Sequence, residues 1–316
     1  MSRHVCTRWA FDLGAWTPTL PQLTQAVAAI QPEERTRLMK FHFIDDFLSS
    51  LIGRLLMRKY VSVCTATAYH QVQFARDVRG KPYWVRGQSG SLSPILSFNV
   101  SHQGRLVLLA GITTSAAAAA ADTDTDNDKD NDNDTAGSEA ADFGIGTDVM
   151  KIEYAGGKSL SDFFRLMKGK FSAQEWSYIG RPQHNEPAQL KAFMRHWCLK
   201  EAYVKELGVG ITVELEKISF SVDTTHSLVE AVSPLIGTTL RCNDRPMDNW
   251  HFEEHLLEEK YCAAIAFRNC LPQNHGRFEM LRFDELIAKS ADAAELDSSV
   301  VAYCKEALLK PHKSDR

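Results

Sequence analysis

The chain has 316 residues, 44% of them hydrophobic, and 36 basic against 40 acidic side chains give a net charge of −4. This length allows about two domains with a sizeable core. No apolar run approaches the roughly 18 residues of a membrane span, and no apolar signal region follows Met1-Ser2-Arg3-His4. The seven cysteines are odd in number and form no C-x-x-C. They argue against a disulfide frame or zinc ribbon and for reduced thiols in a cytoplasmic protein. Charge is unevenly placed: residues 115–142 hold nine acids and Lys129, a local −8, so the remainder carries +4. A mildly basic body suits an anionic cofactor or an acidic protein partner. No basic stripe with interleaved aromatics marks a nucleic-acid surface.

In chain order, Val5–Leu13 alternates like a strand within a stretch that mixes aromatics and prolines. Glu33–Tyr60 has helical periodicity, with Leu48, Leu51, Ile52, Leu55, Leu56 and Tyr60 on one face and Gly53 inside it. Val72–Ala75 and Tyr83–Val85 read as short strands around a turn at Asp77–Pro82. Phe98–His102 reads as a strand end or loop before the strand Leu106–Gly111. Residues 113–142 are low in complexity, an alanine run followed by Asp alternating with Thr and Asn. An Asp-x-Asp-x-Asp start belongs to EF-hand loops, but from Asp124 there is no Gly at the sixth position and no Glu at the twelfth. The composition instead predicts a disordered acidic insertion.

Phe143–Val149 reads as a strand with Asp148 at its exit, and Ser161–Lys170 as a helix. A capping box at Ser172 and Glu175 starts another helix through Ile179. A long helix follows over Pro187–Leu207, closed by Gly208. Ile218–Val222, Trp250–Glu253 and Tyr261–Phe267 read as strands, and 277–310 as a short strand and two helices. Helices followed by strands occur twice, which predicts an α+β chain of two halves. The expected boundaries are 1–112 for the first half, 113–142 for the insertion, 143–270 for the second half and 271–316 for an extension.

The long helix carries the most informative pattern. Leu190, Phe193, Met194, Trp197 and Val204 form an apolar stripe, and Glu201 falls near its middle with Lys205 one turn on. A carboxylate facing a core is costly unless a cation, a metal ion or a proton-transfer role accounts for it. The plain alternative is an i,i+4 ion pair at the edge of the stripe.

Three motifs in order, Phe98-Asn99-Val100-Ser101-His102, the run Phe143–Val149 ending at Asp148, and Trp197-x-x-Lys200-Glu201-Ala202-x-x-Lys205, follow Gly80-Lys81-Pro82. Together they resemble the 4'-phosphopantetheinyl transferase family, of the large monomeric type that activates surfactin synthetase. The likeness runs from about Phe41 to Phe267, with a weaker echo at Arg277–Ile287. It implies a pseudo-dimer of two similar halves. It also implies transfer of the phosphopantetheine arm of coenzyme A to a carrier-protein serine, leaving adenosine 3',5'-bisphosphate. On the matching positions, Asp148 and Glu201 would bind Mg²⁺, Glu201 would act as general base and Lys205 would contact the pyrophosphate. His102 and Ser101 would meet the ribose 3'-phosphate and pyrophosphate region. Arg76, Arg79, Gly80, Lys81, Pro82 and Asn99 would complete the coenzyme A site. The partners implied are acyl and peptidyl carrier domains, including those of fatty-acid synthase and aminoadipate reductase type, with no nucleic acid or membrane. Two positions depart from the family: Met150 stands where many members have a third carboxylate, and Asp45 where the animal branch has Arg.

Two competing readings are weaker. His251-Phe252-Glu253-Glu254-His255 matches a zinc-protease pattern, but it alternates like a strand, which holds the two histidines about 13 Å apart. A non-catalytic coenzyme A or carrier-binding module is at odds with the intact Asp148, Glu201 and Lys205.

Overall fold

The computed structural model describes residues 4–86, 94–114, 143–210, 213–229, 231–287 and 297–313. The acidic insertion, from 115 to 142, lies outside the described residues. The first run of elements is β1 (Val5–Asp12), α1 (Leu20–Ala28), α2 (Pro32–Met39), α3 (Ile44–Thr65), the hairpin β2 (Phe74–Arg76) and β3 (Pro82–Trp84), β4 (Ile95–Gln103) and β5 (Leu106–Thr114). The second is β6 (Gly144–Lys151), α4 (Leu160–Leu166), α5 (Ala173–Ile179), α6 (Glu186–Leu207), β7 (Ile218–Ser221), β8 (Thr239–Cys242), β9 (Arg245–Pro246), β10 (Trp250–Leu257) and β11 (Tyr261–Arg268). The chain closes with β12 (Glu279–Met280), α7 (Phe283–Leu286) and α8 (Ser298–Ala307).

Alternation along the strands builds the architecture. One sheet has the order β12-β1-β5-β4 and another β10-β11-β6. On β5, Val107 and Leu109 join Phe11, Leu51, Leu55 and Tyr60 in the core under α3. The alternate residues Leu106, Leu108, Ala110 and Ile112 point the other way. They meet Val149, Tyr261 and Ala263, and Ile145, Ile265 and Phe267, from the second sheet. That sheet turns Cys262, Ala264 and Ala266 toward Cys198, Leu199 and Ala202 of α6. The layers are therefore helix, sheet, sheet, helix. Both faces of each sheet are apolar, and each fully buried aliphatic side chain contributes about 1.5–3 kcal/mol before entropy is counted.

Two polar seams hold the sheets in register. Along β4, every second side chain faces β6. The Ser97 hydroxyl accepts from the Ile145 N–H at 3.2 Å, the Asn99 carbonyl oxygen from the Thr147 N–H at 3.2 Å, and Gln103 from the Lys151 N–H. Side chains thus satisfy the free edge of β6, where a backbone ladder would otherwise be needed. On the opposite side, buried Arg8 of β1 forks onto Glu253 of β10 at 2.6 and 2.7 Å, and His275 Nδ1 lies 2.7 Å from the same carboxylate.

Several expectations need correction. Glu33–Tyr60 is two helices, because the chain breaks after Lys40 and restarts at Phe43, whose extended φ of −96° and ψ of 143° set the N-cap of α3. Phe98–His102 lies inside β4, paired with β5 from Ile95–Thr114 to Gln103–Leu106, so Thr113 and Thr114 are strand. The helix expected over Ser161–Lys170 stops at Leu166, and a separate 3-10 turn covers Lys168–Lys170. α1 has no counterpart among the expected elements, although Thr19 and Gln22 form a capping box with Pro21 in the first turn. The segment after residue 270 returns to the first sheet. β12 pairs with β1, and Leu281, Phe283, Leu286, Val300 and Cys304 fill the core under α3.

Candidate active site

Three alternate residues of β6, Gly144, Gly146 and Asp148, face α6. A Cβ on Gly146 would overlap the Ala202 carbonyl, and one on Gly144 would overlap the Glu206 carboxylate. The glycines let the helix lie directly on the strand. The first side chain beyond them is Asp148, which emerges beside the second turn from the end of α6. The helix itself is well bounded. Asn185 caps its start by accepting from the Ala188 N–H at 3.1 Å, and Gly208 ends it at φ 65°.

A cleft of about 470 Å³ opens there, lined by Ser101, His102 and Gln103 of β4, Asp148 and Met150 of β6, and Trp197, Glu201 and Lys205 of α6. The Lys205 ammonium donates to Asp148 Oδ1 at 2.6 Å and to the Ser101 hydroxyl at 2.7 Å. Ser101 in turn donates to the same Asp148 oxygen at 2.8 Å. The second oxygen, Asp148 Oδ2, is buried without a hydrogen-bond partner. Glu201 stands half-buried in the cleft wall. Burial, and then the negative charge of Asp148, raise its pKa above the ordinary glutamate value, and Lys205 offsets part of the rise.

An orphaned carboxylate oxygen beside a second carboxylate of raised pKa is a donor set for a hard cation. The residues present therefore fit a divalent metal held by Asp148 and Glu201. No group of three or more His, Cys, Asp or Glu side chains is arranged for a metal among the described residues. Two protein carboxylates leave the remaining positions to water and substrate oxygens. Met150 lines the cleft but packs on the apolar core of the second half, and its carbonyl accepts the Cys262 thiol at 3.5 Å.

The structure brings Ser101, His102, Asp148, Glu201 and Lys205 together, and places the other expected residues elsewhere. Asn99 holds β6. Gly80 takes φ 86° in the turn between β2 and β3, where Asp77 Oδ1 accepts from the backbone N–H groups of Arg79 and Lys81 at 2.9 and 2.8 Å. From that turn Lys81 Nζ donates to the Glu206 carbonyl at 3.0 Å, and Arg79 to the Leu207 carbonyl at 3.1 Å. Both cations cap the C-terminus of α6, one turn beyond Lys205, where orphan carbonyls and the helix dipole favour positive charge. Arg76 grips Glu34 at 2.8 and 3.1 Å, and Arg54 takes the same carboxylate at 2.6 Å. Pro82 and Arg76 border a small separate cavity with Glu34 and Arg54. The β2–β3 hairpin thus straps α2 to the end of the long helix.

Sequence periodicity missed Lys200. Its side chain is fully buried and pairs at 2.9 Å with equally buried Glu175. Its ammonium also donates to the Leu215 carbonyl at 2.9 Å and to that of Ile218. Glu175 accepts from the N–H groups of Ser172 and Phe220 at 2.7 and 3.1 Å. The knot ties α5 and β7 to the turn of α6 that carries Glu201. Its one signal in sequence was the capping box at Ser172 and Glu175. The zinc-protease pattern falls on β10, where Glu253 is held by Arg8 and Glu254 by Arg195. A strand with both acids engaged is no zinc site.

An acidic pair whose chemistry fits a metal, a lysine and an exposed histidine thus share one cleft between the two sheet-and-helix layers. Residues 14–114 match the family model described as "4'-phosphopantetheinyl transferase, N-terminal", and residues 144–266 match "4'-phosphopantetheinyl transferase superfamily". An L-aminoadipate-semialdehyde dehydrogenase-phosphopantetheinyl transferase of Xenopus laevis is 31% identical over 300 residues, covering 92% of this chain and 88% of its own. The Mus musculus protein of the same name is 30% identical with the same coverage. A phosphopantetheinyl transferase of Thraustochytrium is 32% identical over 262 residues, covering 82% of this chain and 77% of its own. The chain belongs to the 4'-phosphopantetheinyl transferase superfamily. It is an enzyme that moves the phosphopantetheine arm of coenzyme A onto carrier proteins.

Proposed function

We propose that the cleft holds Mg²⁺ on Asp148 and Glu201, and that the enzyme acts as a monomer whose two halves are similar in build. The observation that carries the metal reading is the buried, partnerless Asp148 Oδ2 in a cleft it shares with Glu201. Mg²⁺ bound there would neutralise the pyrophosphate of coenzyme A and stabilise the departing phosphate.

The protein's own groups then do the following. Glu201, whose carboxylate burial and the Asp148 charge make more basic than an ordinary glutamate, takes the proton from the hydroxyl of the carrier serine. The serine oxygen forms a bond to the pantetheine-linked phosphorus, and the bond from that phosphorus to the bridging oxygen breaks. Adenosine 3',5'-bisphosphate leaves with that oxygen. Lys205, already between Ser101 and Asp148, moves one donor to the pyrophosphate. His102 and Ser101 form the wall along which the nucleotide end lies. Arg76, Arg79, Gly80, Lys81 and Pro82 support this arrangement through the strap, and Lys81 and Arg79, beyond their bonds to the end of α6, would have donors left for the phosphates. The Mus musculus and Xenopus laevis relatives are named for L-aminoadipate-semialdehyde dehydrogenase, which favours a carrier of that kind as a substrate; a fatty-acid synthase carrier as substrate rests on the family resemblance alone.

Glu201→Gln tests the role. Calorimetry should show coenzyme A binding within a few-fold of wild type, while transfer falls by about 10²–10⁴-fold. Normal turnover by this variant would remove Glu201 from the chemistry. Transfer should also vanish on chelation and return with Mg²⁺.

A further inference from the structure

The C-terminal tail does not trail away from α8. Lys310 Nζ donates to the carbonyls of Met39 and Phe41 at 2.9 and 2.6 Å, crossing the break between α2 and α3. The Pro311 carbonyl accepts from the Ile44 N–H at 3.1 Å. Lys313 donates its backbone N–H to Asp45 at 2.9 Å and its ammonium to Asp46 at 2.6 Å. His312 Nδ1 lies 3.5 Å from Asp45. The two acids that open α3 therefore serve to hold the tail.

The place where the tail is held is set by how α3 crosses β4. Tyr60 packs on Phe98 with ring centroids 5.9 Å apart, and Gly53 lies against Val100. A step of two residues up β4 matches seven residues back along α3, so the next step sets Asp46 beside His102. Val100 and His102 both line the cleft. The charges of Lys205, Asp46, Lys313 and Arg54 all act on the His102 ring, as this geometry requires.

We infer that Lys313, delivered by the C-terminal tail, supplies a cation for the 3'-phosphate of coenzyme A at the His102 end of the cleft. The inference rests on the coenzyme A reading above and adds the residue that reads its nucleotide end. Without the tail, Asp45 and Asp46 would present two negative charges to an arriving phosphate. With it, the Lys313 ammonium offsets one of the two charges and its donors are brought to the end of α3 that acts on His102. Its pair with Asp46 is solvent-exposed, with side chains 57% and 26% accessible, so little free energy opposes its transfer to a phosphate monoester.

The test compares coenzyme A with 3'-dephospho-coenzyme A as donor for wild type and Lys313→Ala, with kcat/KM for transfer to an apo carrier as readout. Wild type should prefer coenzyme A. In the variant that preference should shrink by about tenfold, the loss of one charge-assisted hydrogen bond, through a higher KM for coenzyme A. Lys313→Glu should shrink it further. An unchanged preference in both variants, or an equal loss with both donors, would overturn the inference. Absence of transfer by wild type from either donor would instead overturn the transferase reading.

Discussion

The two long helices, α3 and α6, are each 22 residues and each covers the outer face of a sheet. They are packed by opposite devices. On the first half the glycines leave room for side chains: Gly111 of β5 makes space for the Tyr60 ring, and Gly53 of α3 for Val100. On the second half Gly146 leaves room for backbone, lying under the Ala202 carbonyl, while Gly144 beside it makes room for the Glu206 carboxylate. α3 buries mostly aliphatic and aromatic groups, whereas α6 buries Arg195, His196, Lys200 and Glu206 as well. The half with the apolar helix forms one wall of the cleft and holds the tail. The half with the charged helix carries Asp148, Glu201 and Lys205, and its buried ion pairs fix where those groups point.

That contrast can be broken first at Gly146. Gly146→Ala pushes a methyl group into immobile backbone and should lower stability by about 3 kcal/mol, at the upper end for overpacking, with transfer lost. Gly53→Ala meets only a Val100 methyl group at 3.0 Å, and should cost about 1 kcal/mol or less. Equal denaturation midpoints for the two variants would show that α6 is not seated on β6 in this way.

The buried pair comes next. Lys200→Met leaves Glu175 fully buried without its cation, and should destabilise by about 3–5 kcal/mol in chemical denaturation. Lys200→Met combined with Glu175→Gln should recover most of that. No recovery would mean that Lys200 acts through its carbonyl contacts rather than the pair.

pH gives smaller effects of two signs. Burial raises the Glu253 pKa, but the His255 imidazole 3.5 Å away and the Arg8 fork outweigh it and hold the group at about 2. The folded value lies below the unfolded one, near 4.5. Its stabilisation is therefore complete above that value and lost as pH falls from 4.5 toward 2. Stability of Glu253→Gln should be flatter across this window. Glu201 is the reverse case. Its folded pKa is raised, so the ionised group opposes folding once pH exceeds its unfolded value. Glu201→Gln should raise Tm at pH 7 without metal and show little difference at pH 4.

Much of this was legible in the sequence. Alternation marked β1 and short strand-like runs marked β5, β6 and β11, though not their pairing into sheets, and the ordered motifs marked Ser101, His102, Asp148, Glu201 and Lys205. What stayed hidden depends on neighbours far along the chain. Periodicity placed Glu201 in an apolar stripe but did not reveal that α6 is enclosed on nearly every side, which is why fully buried Lys200 went unnoticed. Ser97 and Gln103 read as ordinary strand polar residues until β6 lies beside them, and Asn99, expected at coenzyme A, holds the Thr147 N–H of β6. Lys81 and Arg79 carry the sequence signal of phosphate ligands, yet their first partners are the last carbonyls of α6. The break at Lys40 and the docking of Lys313 reflect packing of the chain's end on its beginning.

The most direct test of the central claim is the intact mass of an apo acyl carrier protein after incubation with this enzyme, coenzyme A and Mg²⁺. The account predicts a gain of one phosphopantetheine arm with wild type and none with Asp148→Ala or without the metal. An unmodified carrier in the complete reaction, across carriers of both fatty-acid and aminoadipate type, would contradict it.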